Sequence, residues 1–201
     1  MTLDEINQIG KFGAGFKSVF AVTNSPRIHS GSYHFEIKNF IVPYDIDNIS
    51  GLDETIIILP FNKDEQDFYD LIEDTLVSLE SESLLFLKNI SEIKWKSDKS
   101  FGSYSLEIKD DFIKRINKKV RHQLHSDDYL VFSNTIQLGS AENLNLVVAY
   151  SLSEENGENK TRRITAYHDS KLFVFFPTSV NTGLKFLLHA PYKTTPNRET
   201  I

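Results

Sequence analysis

A single amphipathic stretch at residues 62–87 divides the sequence into two unlike parts. Its apolar residues recur at helical spacing with acidic residues between them, which predicts a helix packed on a sheet. The runs before and after it are short and rich in β-branched and aromatic residues, as is typical of strands. We therefore predict an α/β fold in two domains, residues 1–62 and residues 63–201, with this helix as the link.

Composition and charge exclude several classes of protein. The 201 residues carry a formal net charge of −6, which argues against nucleic acid as a partner. The chain has no cysteine, and therefore no disulfide framework, thiolate metal site or cysteine nucleophile. Its first residues lack the pattern of a signal peptide, and its apolar runs are far shorter than the roughly 20 residues of a membrane helix. We expect a cytoplasmic protein that does not contact a membrane.

Alternating residues and turn signals predict the strands. Residues 27–40 predict a hairpin with Gly31 in its turn, and residues 54–61 predict a buried strand that ends at Pro60. Asn156-Gly157 predicts a further hairpin turn. After the helix, strands are expected in seven segments: 90–95, 104–112, 129–136, 144–152, 161–168, 172–178 and 184–192.

Residues 113–125, "IKRINKKVRHQLH", concentrate basic side chains, which we interpret as the solvated face of a helix. A contact with nucleic acid or an acidic partner is the alternative. His122 and His125, next to Asp127 and Asp128, would lie one helical turn apart and could share a metal ion, but cations also suit a helix C-terminus. We expect surface histidines and no metal site. The basic residues are Lys114, Arg115, Lys118, Lys119 and Arg121.

A glycine-rich loop precedes the first predicted helix, in "IGKFGAGFKSVF" at residues 9–20. Glycines let backbone N–H groups approach a phosphate closely, and Lys17 lies two positions after the last of them. The loop is not a Walker motif, because Phe16 separates the last glycine from the lysine. Neither is it a dinucleotide fingerprint, because Ser18 stands where the third glycine belongs. A glycine turn without a ligand is the alternative.

This loop resembles the lid-end glycine motif of the GHKL ATPases, the superfamily of gyrase B, MutL, histidine kinases and the ninety-kilodalton heat-shock chaperones. The following "KSVF" and "RIHSG" are most similar to chaperone-like ATPase domains of the sacsin and No Vein type. The resemblance implies ATP as the ligand, with its phosphates near the positive end of the helix. It implies phosphate contacts from Gly10, Gly13, Gly15, Phe16 and Lys17.

A second stretch, "DETIIILPF", resembles the strand of the superfamily that carries a G-T-x-I-x-L pattern. Glu54 replaces the glycine of that pattern. The match implies that the Thr55 hydroxyl lies near the adenine, where it can donate and accept hydrogen bonds through a water. A threonine that only favours the start of a strand is the alternative.

The C-terminal stretch "FFPTSVNTGLKFLLHAPYKTTPNRETI" resembles the close of a transducer domain, also called a middle domain. It implies that Arg198, and by analogy with gyrase B and MutL also Lys193, reaches the γ-phosphate and has a catalytic role. Exposed residues in a terminal loop are the alternative. The resemblance further implies part of a two-layer α+β sandwich in residues 1–62, then a transducer-like α/β domain with a β-α-β crossover and some parallel pairing.

The sequence lacks the groups that would make such a site hydrolytic. It contains neither the helix with a catalytic glutamate and a magnesium-binding asparagine nor the D-x-G-x-G box. We therefore expect an N-terminally incomplete member, which contacts Mg-ATP and transmits ATP-driven conformational change but does not hydrolyse ATP alone. A protein partner or a homo-oligomer would complete it. The alternative is a non-catalytic interaction module that retains a degenerate ATPase fold.

Overall fold

The computed structural model describes residues 14–63, 68–138, 142–154 and 161–191. These residues form two compact units, residues 14–72 and residues 73–191. Strands predominate over helices and form two separate sheets, so the α/β prediction holds only in the loose sense that both kinds of element occur. The assignment of the two units to the predicted domain types stays a prediction.

The first unit consists of a short helical segment and a four-stranded antiparallel sheet in the order β3-β2-β1-β4. Helix α1, Ala14–Lys17, continues as a 3-10 turn, Ser18–Ala21, which confirms a short helix at this position. The predicted hairpin is also confirmed, and Gly31 in its turn has a φ of 55°, a conformation that glycine adopts at little cost. The strands are β1 Arg27–Ser30, β2 Tyr33–Lys38, β3 Val42–Asp45 and β4 Ile56–Ile58.

Phe20 anchors the helical segment of this unit. Its side chain is buried and its ring lies 4.8 Å from that of Phe40, between ring centroids. The Lys63 ammonium donates a hydrogen bond to the Phe20 carbonyl oxygen, and the Asn24 amide donates to Asn62 Oδ1 at 2.8 Å. The end of the helical segment is thereby tied to the chain that follows β4.

Strand β4 is where predicted, but the prediction that it is buried is wrong. Ile57 and Ile58 are 50% and 39% exposed. The reason is that β4 pairs with β1 alone among the described residues and so forms an edge of the sheet.

The second unit contains a nine-stranded sheet in the order β12-β11-β13-β9-β8-β7-β6-β5, with β10 paired to β9. The predicted parallel pairing is confirmed between β11 and β13, but the connection runs through β12 and contains no helix. The strands are β5 Glu92–Lys96, β6 Phe101–Ile108, β7 Ile113–Val120, β8 Gln123–Leu138, β9 Glu142–Glu154, β10 Arg162–Thr165, β11 Lys171–Val174, β12 Phe176–Asn181 and β13 Leu187–His189.

The helical segments of this unit cover one face of the sheet. The predicted long helix is two elements, because α2, Phe68–Val77, ends where the Ser78 hydroxyl donates to the Asp74 carbonyl oxygen and a 3-10 turn follows at Ser81–Leu85. The Tyr104 hydroxyl donates to the carbonyl oxygens of the last turn of α2. The core side chains here include Leu84, Phe86, Trp95, Tyr104, Ile116, Tyr129, Phe173, Phe175 and Leu187.

Residues 113–125 are a hairpin of β7 and β8, so the predicted basic helix is wrong. Lys114, Ile116, Lys118 and Val120 alternate with the residues between them, which is the period of a strand. The density of charge hid this alternation. Because successive side chains of a strand point to opposite faces, the basic residues are divided between the two faces of the sheet and form no single helix face.

Candidate functional site

The described part of the glycine loop begins at Ala14, so the predicted phosphate contacts at Gly10 and Gly13 lie outside the described residues. Gly15, Phe16 and Lys17 are all exposed on α1. A Cβ atom built on Gly15 meets no heavy atom within 4 Å. Neither packing nor the backbone conformation of the described chain therefore requires glycine at this position.

The described helical segment after the loop is short and changes from α-helix to a 3-10 turn. Within the described residues, four, Ala14–Lys17, are α-helical before the 3-10 turn begins. A helix dipole sums aligned peptide units, so one turn contributes little of the positive potential predicted for the phosphate. Any attraction for an anion here depends on backbone N–H groups and on the exposed Lys17 ammonium.

Thr55 lies immediately before β4, at the end of the first sheet. Its Oγ1 atom lies 2.7 Å from Ser30 Oγ at the end of β1, and the two hydroxyls share a hydrogen bond. The register that pairs His29 with Ile56 brings them together. A hydroxyl has one donor and two acceptor positions, so the pair retains capacity for a further polar group. Ser30 carries no signal in the sequence that marks it as a site residue, because its position depends on the pairing of β1 with β4.

Among the described residues, the predicted site residues make no direct contact with one another across the two motifs. No hydrogen bond or ring contact among the described residues joins Thr55 to Gly15, Phe16 or Lys17; instead the ring of Phe16 contacts Phe20 edge to face, with centroids 6.4 Å apart. The predicted catalytic residues Lys193 and Arg198 lie outside the described residues.

The strongest charge pairing lies in the second unit and ties neighbouring strands together. Arg115 Nε and Nη2 donate to Asp128 Oδ1 and Oδ2 at 2.6 and 2.9 Å, and Arg162 Nη2 lies 3.6 Å from Asp128 Oδ2. The Arg115 guanidinium holds the pKa of the buried Asp128 carboxyl below its usual value. This arrangement joins β7, β8 and β10 and needs no ligand.

Two other basic residues of β7, Lys114 and Lys118, do not join Arg115 in a patch, because they lie on the opposite face of the strand. The Lys118 ammonium lies over the ring of Tyr104, 5.4 Å from its centroid. Burial lowers the pKa of the Lys114 ammonium. Both lie on the face of β7 that also carries the buried Ile116.

The predicted alternative of a metal at His122 and His125 is not supported. His122 lies in the hairpin turn with its ring 5.7 Å from that of Phe101, between centroids, and His125 Nε2 lies 3.0 Å from Asp127 Oδ2. Within the described ranges, no group of three or more histidine or acidic residues could hold a metal ion.

Comparison with known proteins gives one informative match. The chain is similar to Protein NO VEIN of Arabidopsis thaliana. The two are 25% identical over 223 residues, which cover 96% of this chain but only 8% of the relative. No family model matches the chain, and no solved structure matches it significantly. Across the ranges that the structure describes, no helix is long and apolar enough to cross a membrane.

Proposed function

We propose that this chain is a segment of a cytoplasmic, chaperone-like ATP-binding protein related to No Vein and to the GHKL ATPases. It contacts the phosphates of ATP through its glycine loop and transmits the resulting conformational change to a partner. The observation that carries the proposal is Gly15, a glycine that the described fold does not require. A position where backbone must approach a ligand closely explains such a glycine.

Each residue of the proposed site has a distinct role. Backbone N–H groups at the glycines bind phosphate oxygens. Lys17 adds a positive charge whose attraction for the phosphates is weakened by salt. Thr55, with its hydroxyl partner Ser30, lies near the adenine. Arg198 and Lys193 reach the γ-phosphate. The proposed fold is part of a two-layer α+β sandwich followed by a transducer-like domain.

Hydrolysis is not proposed for this chain alone. The sequence carries no catalytic glutamate helix, and in the part of the chain that the structure describes no group of three or more histidine or acidic residues could hold the magnesium that accompanies ATP. The chain spans 8% of the length of the No Vein relative. A partner chain or a longer protein would therefore supply the base and the metal ligands.

Calorimetric titration with ATP and ADP, with and without magnesium, tests the proposal. Gly15→Ala is the decisive variant, because its Cβ has open space in the fold but would block a bound phosphate. We expect Gly15→Ala to weaken binding at least about tenfold, or 1.4 kcal/mol, without loss of stability. Lys17→Gln should weaken binding more at low salt than at high salt, whereas the control Lys119→Gln should not.

The adenine contact has its own matched pair of variants. Thr55→Ser keeps the hydroxyl and should bind ATP normally, whereas Thr55→Val removes it and should weaken ATP and ADP equally. Absence of binding heat in wild-type protein, with and without magnesium, would refute nucleotide binding by this chain. Equal affinity of wild type and Gly15→Ala would refute the role of the loop.

The alternative, a non-catalytic interaction module that assembles as a homo-oligomer, has a different observation in its favour. We name the cluster Phe112, Phe132, Tyr150 and Phe186 the aromatic face. In the order given, the centroid of each ring lies between 5.1 and 6.4 Å from that of the next. Phe132 remains 46% exposed. Light scattering measures the molar mass that tests this alternative. Phe132→Ser should shift an oligomer towards monomer if the aromatic face joins two copies of the chain. A monomeric wild-type protein would refute assembly through this face.

A further inference from the structure

Two histidines face each other across the hairpin of the first unit. His29 on β1 is the direct partner of His34 on β2. The Ile37 amide donates to the Pro26 carbonyl oxygen at 2.9 Å, so these two residues form a hydrogen-bonded pair. Hydrogen-bonded and non-hydrogen-bonded pairs alternate along an antiparallel hairpin. His29 and His34 are therefore a non-hydrogen-bonded pair, the kind in which cross-strand side chains come closest.

The Nδ1 atoms of the two imidazole rings face each other. Nδ1 of His29 lies 3.0 Å from Nδ1 of His34, and the ring planes make an angle of 51°. His29 is 4% exposed. The second nitrogen of His34, Nε2, is buried without a hydrogen-bond partner among the described residues. The orientation of the His34 ring is thus set by its contact with His29.

This arrangement matches the spacing of two ligands on one metal ion. Histidine nitrogens bind metals at about 2.0–2.1 Å, which puts two adjacent nitrogens about 2.9 Å apart in square-planar geometry and about 3.4 Å apart in tetrahedral geometry. Without a metal, the 3.0 Å gap holds one shared proton, donated by one Nδ1 to the lone pair of the other. A metal ion would displace that proton after a small rotation of the rings.

We propose that His29 and His34 form a two-histidine site for a divalent transition-metal ion of the Ni²⁺, Cu²⁺ and Zn²⁺ class. Both ligands would be neutral imidazole Nδ1 atoms, and the proton between them would move to Nε2 of the histidine that carries it, so each neutral ring keeps one proton. Water completes the coordination, because no third histidine or acidic ligand lies with them in the described ranges.

The charges around the pair favour neither a magnesium site nor a nucleotide role. Glu36 lies on the same face as His34 but is held by Arg27 at 3.5 Å and Lys38 at 3.1 Å. Two imidazoles select borderline metals over magnesium, which prefers oxygen ligands. Ser30 lies on the opposite face of β1, so the metal site is separate from the proposed adenine contact.

Titration calorimetry of the whole chain with NiCl₂, CuCl₂ and ZnCl₂ tests the site. We expect one ion per chain and no net release of protons from the neutral pair, with the proton count measured in two buffers of different ionisation enthalpy. His29→Gln and His34→Gln should each weaken binding by more than about tenfold. The exposed histidines provide matched controls, and His122→Gln and His125→Gln should bind as the wild type does. Equal weakening in the control variants, or unchanged affinity in His29→Gln and His34→Gln, would overturn the proposal.

A measurement on the wild type guards against variants that fail to fold. In ¹⁵N imidazole spectra, the first equivalent of Zn²⁺ should remove the signal of the shared Nδ1–H and shift both nitrogens together. Shifts confined to the exposed His122, His125 and His168 would show adventitious surface binding and refute the site.

Discussion

Replacing Gly102 by alanine should destabilise the second unit, because Trp95 occupies the space that a Cβ atom needs. Gly102 on β6 pairs directly with Trp95 on β5. A Cβ atom would come within 2.7 Å of indole atoms Cε2 and Nε1 and within 2.8 Å of Cζ2. To restore ordinary contact the ring must move by about 0.7 Å, and it is a rigid group with little freedom to bend away.

The packing around Trp95 sets the size of the effect. Its side chain is buried in the core cluster with Tyr104, so a displaced indole would press on well-packed neighbours. Overpacking of this kind costs about 1–3 kcal/mol, and we expect about 2 kcal/mol for Gly102→Ala. Urea denaturation measures the change, and Trp95, the sole tryptophan, reports on this unit by fluorescence.

Two controls distinguish this clash from a general effect of alanine. Gly15→Ala, with no atom within 4 Å of its Cβ, should change the free energy of unfolding by less than about 0.5 kcal/mol. Trp95→Leu makes room, so Gly102→Ala should cost at least about 1 kcal/mol less in that background, measured by circular dichroism. A Gly102→Ala protein as stable as the wild type, or an equal cost in both backgrounds, would refute the reasoning.

Three further predictions follow from buried polar groups. Asp128→Asn should cost about 3 kcal/mol in urea denaturation, because it leaves Arg115 without its carboxylate partner. The pKa of Asp128 is lowered in the folded state, so its contribution to the free energy of unfolding is complete above about pH 4 and is lost as the pH falls through the folded pKa. The Asp128→Asn variant should therefore show less acid destabilisation than the wild type when melting temperature is measured over a series of pH values. Burial lowers the pKa of His189 to about 4, so the wild type should lose up to about 3 kcal/mol as the pH falls from about 6.5 to 4; an equally steep loss in His189→Gln would contradict this assignment. Tyr104→Phe removes the hydroxyl that donates to the Leu76 carbonyl oxygen and should lower the melting temperature, at a cost of about 1–2 kcal/mol; unchanged stability would show that water replaces the contact.

Local signals predicted the parts of the fold that local chemistry determines. The hairpin of β1 and β2 could be predicted because its turn glycine and its alternation agree. The hairpin of β7 and β8 could not be predicted in this way, because its clustered charges masked the alternation of a strand. Its turn residue Arg121 has a φ of 56°, and no glycine marks the turn in the sequence. The pairing of β13 with β9 joins residues about 40 positions apart, and no local pattern encodes it.

The candidate site divides in the same way. The glycine loop is a local motif, so Gly15 could be singled out from sequence and its open surroundings then found in the structure. The partnership of Ser30 with Thr55 depends on strand register, as does that of His29 with His34. No local sequence pattern marks either pair, because each pair forms only when two strands align in one particular register.

The position of β13 in the sheet imposes an order on assembly during synthesis. Strands β11 and β12 reach β9 only through β13, which is made after both. A ribosome working from the N-terminus therefore releases the β11–β12 hairpin before its place in the sheet exists. Until Leu187 and its neighbours emerge, residues 147–149 on that edge of β9 stay unpaired, although β10 can already pair with residues 151–154. In this interval the unpaired segment makes the nascent chain prone to aggregation.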